Sequence, residues 1–328
     1  MSDLVLATQW LVYLNQARWF QAKGQVQTVP QLSPRPWLIQ SPAGWVRSEV
    51  ATVELHNPGL LPPPPPQLYH LLVGYLPAGT AEPAALVCQI DLPDFGRADV
   101  VDAPKSPQAQ RLILDGLIAS PQVHWLKPPP DREQPIHLFT GEQSNTNLMV
   151  GQSTIIKLFR RLNPGPSIEA EILSALNDSG VTPQLDGWWR DVELDLDLGL
   201  IMAFIPQAED GWAWATGTCH DQPVAVEAWT GLGQTLKQVH DWLAADFPTD
   251  TVSGAVIRQR LSDRLHQTSA QVPALKPWQP ALASLINRIG DEPVPVQRIH
   301  GDFHLGQTLI SPAGWTIIDF EGEPLKPL

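Results

Sequence analysis

The stretch that most narrows what this chain can fold into lies near its end. It reads His-Gly-Asp-Phe-His-Leu-Gly-Gln at 300–307, then Ile-Asp-Phe-Glu-Gly-Glu at 318–323. Between them, Leu309 with Ile310 and Thr316 with Ile317 and Ile318 are short β-prone runs around the turn signal Ser-Pro-Ala-Gly at 311–314. The pattern predicts a loop, a hairpin and a second acidic loop. Folding the hairpin back brings Asp302 and Gln307 beside Asp319. Two carboxylates and an amide oxygen then face one point, a hard oxygen set suited to a Mg²⁺ that keeps water and nucleotide phosphates in its shell. Phosphoryl transfer asks for little else locally: a carboxylate to accept a hydroxyl proton, an amide ligand, and an aspartate on the metal.

Further upstream, strand-like runs flank a small-polar turn, Thr-Gly-Glu-Gln-Ser-Asn-Thr-Asn at 140–147. Its N–H groups and hydroxyls can close over phosphates as a Gly-rich loop does, although a plain hairpin fits the same residues. The next strand, 153–159, is apolar apart from Lys157. A buried lysine needs a partner. The helix predicted over 167–176 offers Glu169 and Glu171, which point to different sides of the helix.

These motifs resemble the aminoglycoside-phosphotransferase-like branch of the protein-kinase fold. Within it, His-Gly-Asp-Phe-His-Leu-Gly-Gln with Ile-Asp-Phe-Glu-Gly-Glu-Pro is similar to maltokinases and the related glucosamine kinases. The Arg-Trp-Phe-Gln-Ala-Lys-Gly run at 18–24 extends the resemblance to the N-terminus. The resemblance implies ATP and Mg²⁺, with Asp302 as catalytic base and Gln307 and Asp319 as metal ligands. Lys157, supported by Glu169 in preference to Glu171, would hold the phosphates, and Ser144, Asn145 and Thr146 would cover them. Backbone groups around Ala203 and Ile205 would bond the adenine. Asp302, His304 and Glu321 would meet the acceptor.

Along the chain, residues 4–20 read as a helix, with Gly24 as its stop and Lys23 favourable at its C-terminal end. Trp19 and Phe20 read as packing. The clearest strands are 45–55, 67–75 and 86–90, with five prolines at 62–66 as a stiff loop. A helix is expected over 108–118. The alternating run Asp-Val-Glu-Leu-Asp-Leu-Asp-Leu at 191–198 reads as one strand with a solvated acidic face. Arg160 and Arg161 read as an exposed basic pair, with contact to the acceptor as the alternative. Helices follow over 226–240, 255–267 and 280–289. Leu232, Leu236, Val239 and Trp242 form the core stripe of the first of these, and His240 is structural.

Composition sets outer limits. The net charge of −13 and the lack of a basic run argue against nucleic acid. Cys88 and Cys219, far apart and outside any metal-binding spacing, suit a reducing cytoplasm, and no apolar run approaches a membrane span. The expected class is α+β, a two-lobed kinase-like fold with an N-terminal cap and intermediate subdomain over 1–130, an N-lobe over 131–206 and a C-lobe over 207–328. The C-lobe is expected to be incomplete, exposing apolar helix faces. The expected activity is ATP-dependent phosphorylation of a small sugar, maltose first and glucosamine second. A non-catalytic pseudokinase or an inactive fragment is the reading from another class.

Overall fold

The structure, a computed structural model, describes residues 3–25, 28–55, 65–139, 145–221 and 226–322. Helix α1 (Asp3–Gln16) precedes strands β1 (Gln31–Ser41), β2 (Gly44–Val53), β3 (Gln67–Pro77), β4 (Leu86–Leu92) and β5 (Gly96–Asp102). Helix α2 (Pro107–Ala119) leads to β6 (Val123–Trp125), β7 (Ile136–Phe139), β8 (Thr146–Val150), β9 (Thr154–Leu158) and β10 (Arg161–Leu162). Then come α3 (Ile168–Ala175), β11 (Leu185–Asp191), β12 (Leu196–Ala203) and β13 (Glu209–Asp210). The last part holds α4 (Gly211–Asp221), α5 (Val226–Asp246), β14 (Asp250–Ser253), α6 (Gly254–Gln271), α7 (Gln279–Ile286), β15 (Pro293–Val296), β16 (Thr308–Ser311) and β17 (Gly314–Ile317).

Two six-stranded antiparallel sheets dominate. The first runs β1-β2-β3-β5-β4 with β10 added to β3; the second runs β6-β11-β12-β9-β8-β7. Strand β6 comes from the Pro-rich stretch before residue 130, yet it pairs with β11 of the second sheet. Alternation along β3 sorts side chains to two cores. Leu71, Val73 and Tyr75 face α1, packing with Trp10, Leu14, Trp19 and Phe20. Leu72 and Leu76 face the other way, into a core that α2 shares through Leu112, Ile113 and Leu117 and that continues to Leu148, Ile156 and Leu200 of the second sheet. The start of α2 is well specified: Ser106 accepts from the Ala109 N–H, and Pro107 takes the first turn. Gly74 permits the close approach, because a Cβ there would lie 2.7 Å from Val101 and 3.3 Å from Ala109.

Several sequence expectations are corrected. Helix α1 stops at Gln16; Gly24, at φ 70°, closes a later turn by donating to Asn15 Oδ1. The acidic run 191–198 is not one strand: Asp191 ends β11, residues 192–195 turn, with Asp195 at φ 56°, and Leu196–Leu198 begin β12. Asp191 and Asp197 are buried rather than solvated. Asp191 accepts from Arg35 of β1, and Asp197 from Arg190 and the Ser167 N–H. Alternation carried no sign of these partners. Arg160 is no surface residue either: it is 1% exposed and lies between the two sheets.

In the helical part, α5 buries Leu232, Thr235, Val239 and Leu243, while Trp242 lies outside the core stripe. Helices α6 and α7 bury little, and Val256, Leu261, Leu282 and Leu285 are exposed on them. Among the described residues, no helix is long and apolar enough to cross a membrane. The small sheet β13-β16-β17 carries the hairpin of the motif region against α4. Gly211, the first residue of α4, faces the Thr308 hydroxyl and the Leu305 carbonyl with no room for a Cβ.

Candidate active site

Strand β9 lies between β8 and β12 and turns Lys157 inward, where it is 7% exposed. Its ammonium lies 2.7 Å from Glu169 Oε2, 2.9 Å from Asp319 Oδ1 and 2.9 Å from Glu321 Oε1. Glu169 is presented by the first turn of α3, which Ser167 caps by accepting from the Ala170 N–H. Acidic residues in a first helical turn also suit the helix dipole. One ammonium therefore faces three carboxylates. Burial pulls the Lys157 pKa down, but Glu169, Glu321 and Asp319 outweigh it and hold the charged form well above its ordinary range. Glu169 differs because it is the deepest of the three. Burial pushes its pKa up to about 7, Lys157 opposes that, and the like charges of Glu321 and Asp319 add to it.

The two motif loops are tied together by His300. Its Nδ1 accepts from the Asp302 N–H at 3.4 Å, so its Nε2 carries the proton donated to the Ile318 carbonyl at 2.9 Å. Burial lowers the pKa of this imidazole despite the Ile318 bond and the nearby Asp319 and Asp302 charges, which keeps one tautomer in place. Its ring packs on the fully buried Phe320 at 4.7 Å. Asp319 adopts a left-handed backbone, φ 65°, which Asp tolerates better than most residues. Burial raises the Asp319 pKa, but Lys157 and a side-chain hydrogen bond from Gln307 outweigh that and lower it. The Ile318 N–H donates to the Gln307 carbonyl at 3.0 Å, closing the second link between the loops.

The structure thus joins Lys157 with Glu169, and Gln307 with Asp319, and holds Asp302 on the loop fixed by His300. Asp302 and His304 are exposed, and the His304 ring accepts from the Gly306 N–H at 3.0 Å. Glu321, assigned from sequence to the acceptor, instead contacts Lys157 and accepts from Asn145 Nδ2 at 2.5 Å. Thr146, read as a phosphate cover, turns away: it is buried, and its hydroxyl accepts from Arg160 Nε at 2.7 Å. The Ala203 N–H, expected at an adenine, is spent on the Gln184 carbonyl at 2.9 Å; Ile205 lies just beyond the end of β12. Ser144 lies outside the described residues. Glu171, the alternative partner of Lys157, pairs with Arg298 just ahead of His300, a contact that spacing alone did not suggest.

Carboxylate oxygens of Glu169, Asp319 and Glu321 all lie within 4.8 Å of one another. Glu169 is committed to Lys157 and buried, whereas Asp319 and Glu321 are about one-third exposed. The Gln307 amide donates to Asp319, and the open sides of Asp319 and Glu321 present carboxylate oxygens that fit a Mg²⁺ ion.

A family model described as a phosphotransferase enzyme family matches residues 135–322, more than half of the chain. A second, described as a maltokinase N-terminal cap domain, matches residues 13–105. A glucosamine kinase of Streptacidiphilus jiangxiensis is 28% identical over 211 residues, covering 57% of this chain and 48% of that protein. A glucosamine kinase of Mycolicibacterium smegmatis is 25% identical over 278 residues, covering 76% of this chain and 68% of that one. The chain therefore spans about half the length of the former relative and two-thirds of the latter. A solved glucosamine kinase in complex with glucosamine, ADP and inorganic phosphate shares the fold at a TM-score of 0.56 and 18% identity, over 97% of this chain and 73% of that one. The mixed helix-and-sheet fold is kinase-like, with an N-terminal cap ahead of it, and the chain belongs to the phosphotransferase enzyme family.

Proposed function

We propose that the protein is an ATP-dependent sugar kinase, with a cap and intermediate segment over 1–130, an N-lobe over 131–206 and a C-lobe over 207–328. The observation that carries this reading is the contact of Lys157 with both Glu169 and Asp319. A buried lysine held between a helix glutamate and the aspartate of a Mg²⁺-type loop is the arrangement that grips nucleotide phosphates. Lys157 would bind the phosphates and Glu169 would fix its position. Asn145 would close over them from the start of β8. Asp302 would accept the proton of the sugar hydroxyl as its oxygen forms the new bond to phosphorus. His300 would keep Asp302 and Asp319 in register. Gln307 and Asp319, with Glu321 beside them, would hold Mg²⁺, which when bound neutralises phosphate charge. The presence of Lys157, Asp302 and Asp319 together argues for catalysis over a scaffold role.

Glucosamine is the acceptor favoured by the relatives, which carry that name. Maltose is the second reading, favoured by the cap match and by the Arg-Trp-Phe start. The test is ATP consumption by a full-length form against glucosamine, maltose, glucose and aminoglycosides, with the product identified. Turnover of one sugar assigns the acceptor. No sugar-dependent consumption in the presence of Mg²⁺ would refute the kinase reading.

A further inference from the structure

Arg160 stands just past the Lys157 strand, on the link that carries the chain from the second sheet into β10 of the first. It is among the largest fully buried side chains. A buried guanidinium is costly unless every donor finds a partner. Here each of its three nitrogens has one, and the partners lie on both sheets. On the first sheet, a terminal nitrogen donates to Asp102 Oδ1 at 2.9 Å, and Asp102 also accepts from Tyr13 of α1 at 2.7 Å. The other terminal nitrogen reaches the His70 carbonyl at 3.4 Å, while the His70 N–H donates to the Arg160 carbonyl at 2.8 Å. The Trp19 ring covers the guanidinium at 4.5 Å. On the second sheet, Nε donates to the Thr146 hydroxyl at 2.7 Å, and the backbone N–H donates to Asn145 Oδ1 at 3.3 Å.

Asn145 immediately precedes Thr146, the first residue of β8, at the edge of the candidate phosphate site. Asn145 in turn donates to Glu321, which contacts Lys157. The path from Tyr13 and Asp102 thus enters Arg160 at its guanidinium and leaves it through the Thr146 hydroxyl and through the backbone N–H that holds Asn145, at the edge of the candidate phosphate site. From this geometry we infer that Arg160 is a positioning residue, through which the N-terminal sheet sets Asn145 and Glu321 for nucleotide binding. The inference rests on the kinase reading of the site. Arginine is required because one planar fork serves Asp102, His70 and Thr146 at once; a lysine ammonium keeps the charge for Asp102 but cannot span all three. It also explains why Thr146, although adjacent to Asn145, points away from the site.

The test compares the full-length wild type with Arg160→Lys and Thr146→Ala, by ATP titration, steady-state kinetics and thermal melting. Thr146→Ala removes only the hydroxyl that orients the guanidinium and leaves the Asp102 pair intact, so it serves if Arg160→Lys does not fold. The expected result is a folded variant with the Kd and KM for ATP raised about tenfold, the worth of one lost charge-assisted hydrogen bond, and the acceptor KM unchanged. A residue that only holds the two sheets together would lower the melting temperature and leave the ATP KM in place. Unchanged ATP affinity in folded Thr146→Ala and Arg160→Lys, with a wild type that binds ATP, overturns this inference alone. A wild type that binds no nucleotide overturns it together with the kinase reading.

Discussion

Glu169 gives the most discriminating test of the electrostatics at the site. Its carboxyl is 2% exposed and is pushed from an ordinary 4.5 to about 7. The cause is burial, augmented by Glu321 and Asp319 and only partly offset by Lys157. A raised carboxyl pKa contributes stability that is fully present below the unfolded value and is lost as pH climbs through the folded value. For Glu169 the window therefore runs from about pH 4.5 to 7. Integrating that shift between pH 5 and 8 gives roughly 2–3 kcal/mol of native-state stability surrendered by this one group. Glu169→Gln keeps the shape and an oxygen for Lys157 but cannot titrate. The variant should therefore gain on the wild type as pH rises, by about 2–3 kcal/mol from pH 5 to 8. Urea unfolding of both proteins at four pH values in that range measures the difference, with matching slopes as the check on two-state behaviour. A difference that stays flat, or that turns against the variant with rising pH, would refute the reasoning. It would mean that Lys157 fully compensates Glu169 in the folded protein.

Three further outcomes follow from the geometry. Asp302→Asn in a full-length form should retain nucleotide binding and lose about 10²–10⁴-fold in turnover, since the exposed Asp302 is assigned to the acceptor proton; an unchanged rate would remove the base assignment. Asp319→Asn should weaken Mg²⁺-dependent nucleotide binding as well as turnover, because Asp319 bonds Gln307 and Lys157; ATP titration with and without Mg²⁺ reads this directly. Arg35→Ala should destabilise the fold by about 3 kcal/mol or more, leaving the buried Asp191 without its arginine. Burial raises the Asp191 pKa, but Arg35 and the Leu194 and Glu193 N–H groups outweigh it and lower it, so the loss should narrow as pH falls through the ordinary 3.8.

What was legible in the sequence was local. The hairpin between the two motif loops follows from β-prone runs around Ser-Pro-Ala-Gly, and β16 and β17 pair as expected, Thr308 opposite Ile317. The helix α3 and the single lysine of β9 were readable, and the Lys157–Glu169 contact spans only 12 residues. What spacing could not show was the fate of charges whose partners are remote. Arg160 meets Asp102 across 58 residues, Arg35 meets Asp191 across 156, and Arg298 meets Glu171 across 127. Of these groups, Arg160 and Asp191 read from sequence as solvated, because ionisable side chains are normally exposed.

The exceptions share one property that a sequence reader can use. Lys157 lies within the apolar run Ile155, Ile156, Leu158 and Phe159, all buried but Ile155, and Arg160 directly follows that run. A cation in such a run has nowhere to place its charge except on an acid brought in by another element. In the sequence, Arg161 beside it makes Arg160 resemble half of an exposed basic pair. The structure separates the two. Arg160 points into the joint between the sheets, while Arg161 lies on β10 and reaches Gln21 at 3.1 Å. Arg160 sits at the bend between β9 and β10 while Arg161 begins β10, so the change of chain direction sends the two side chains apart, and a distant carboxylate is to be sought for the buried one.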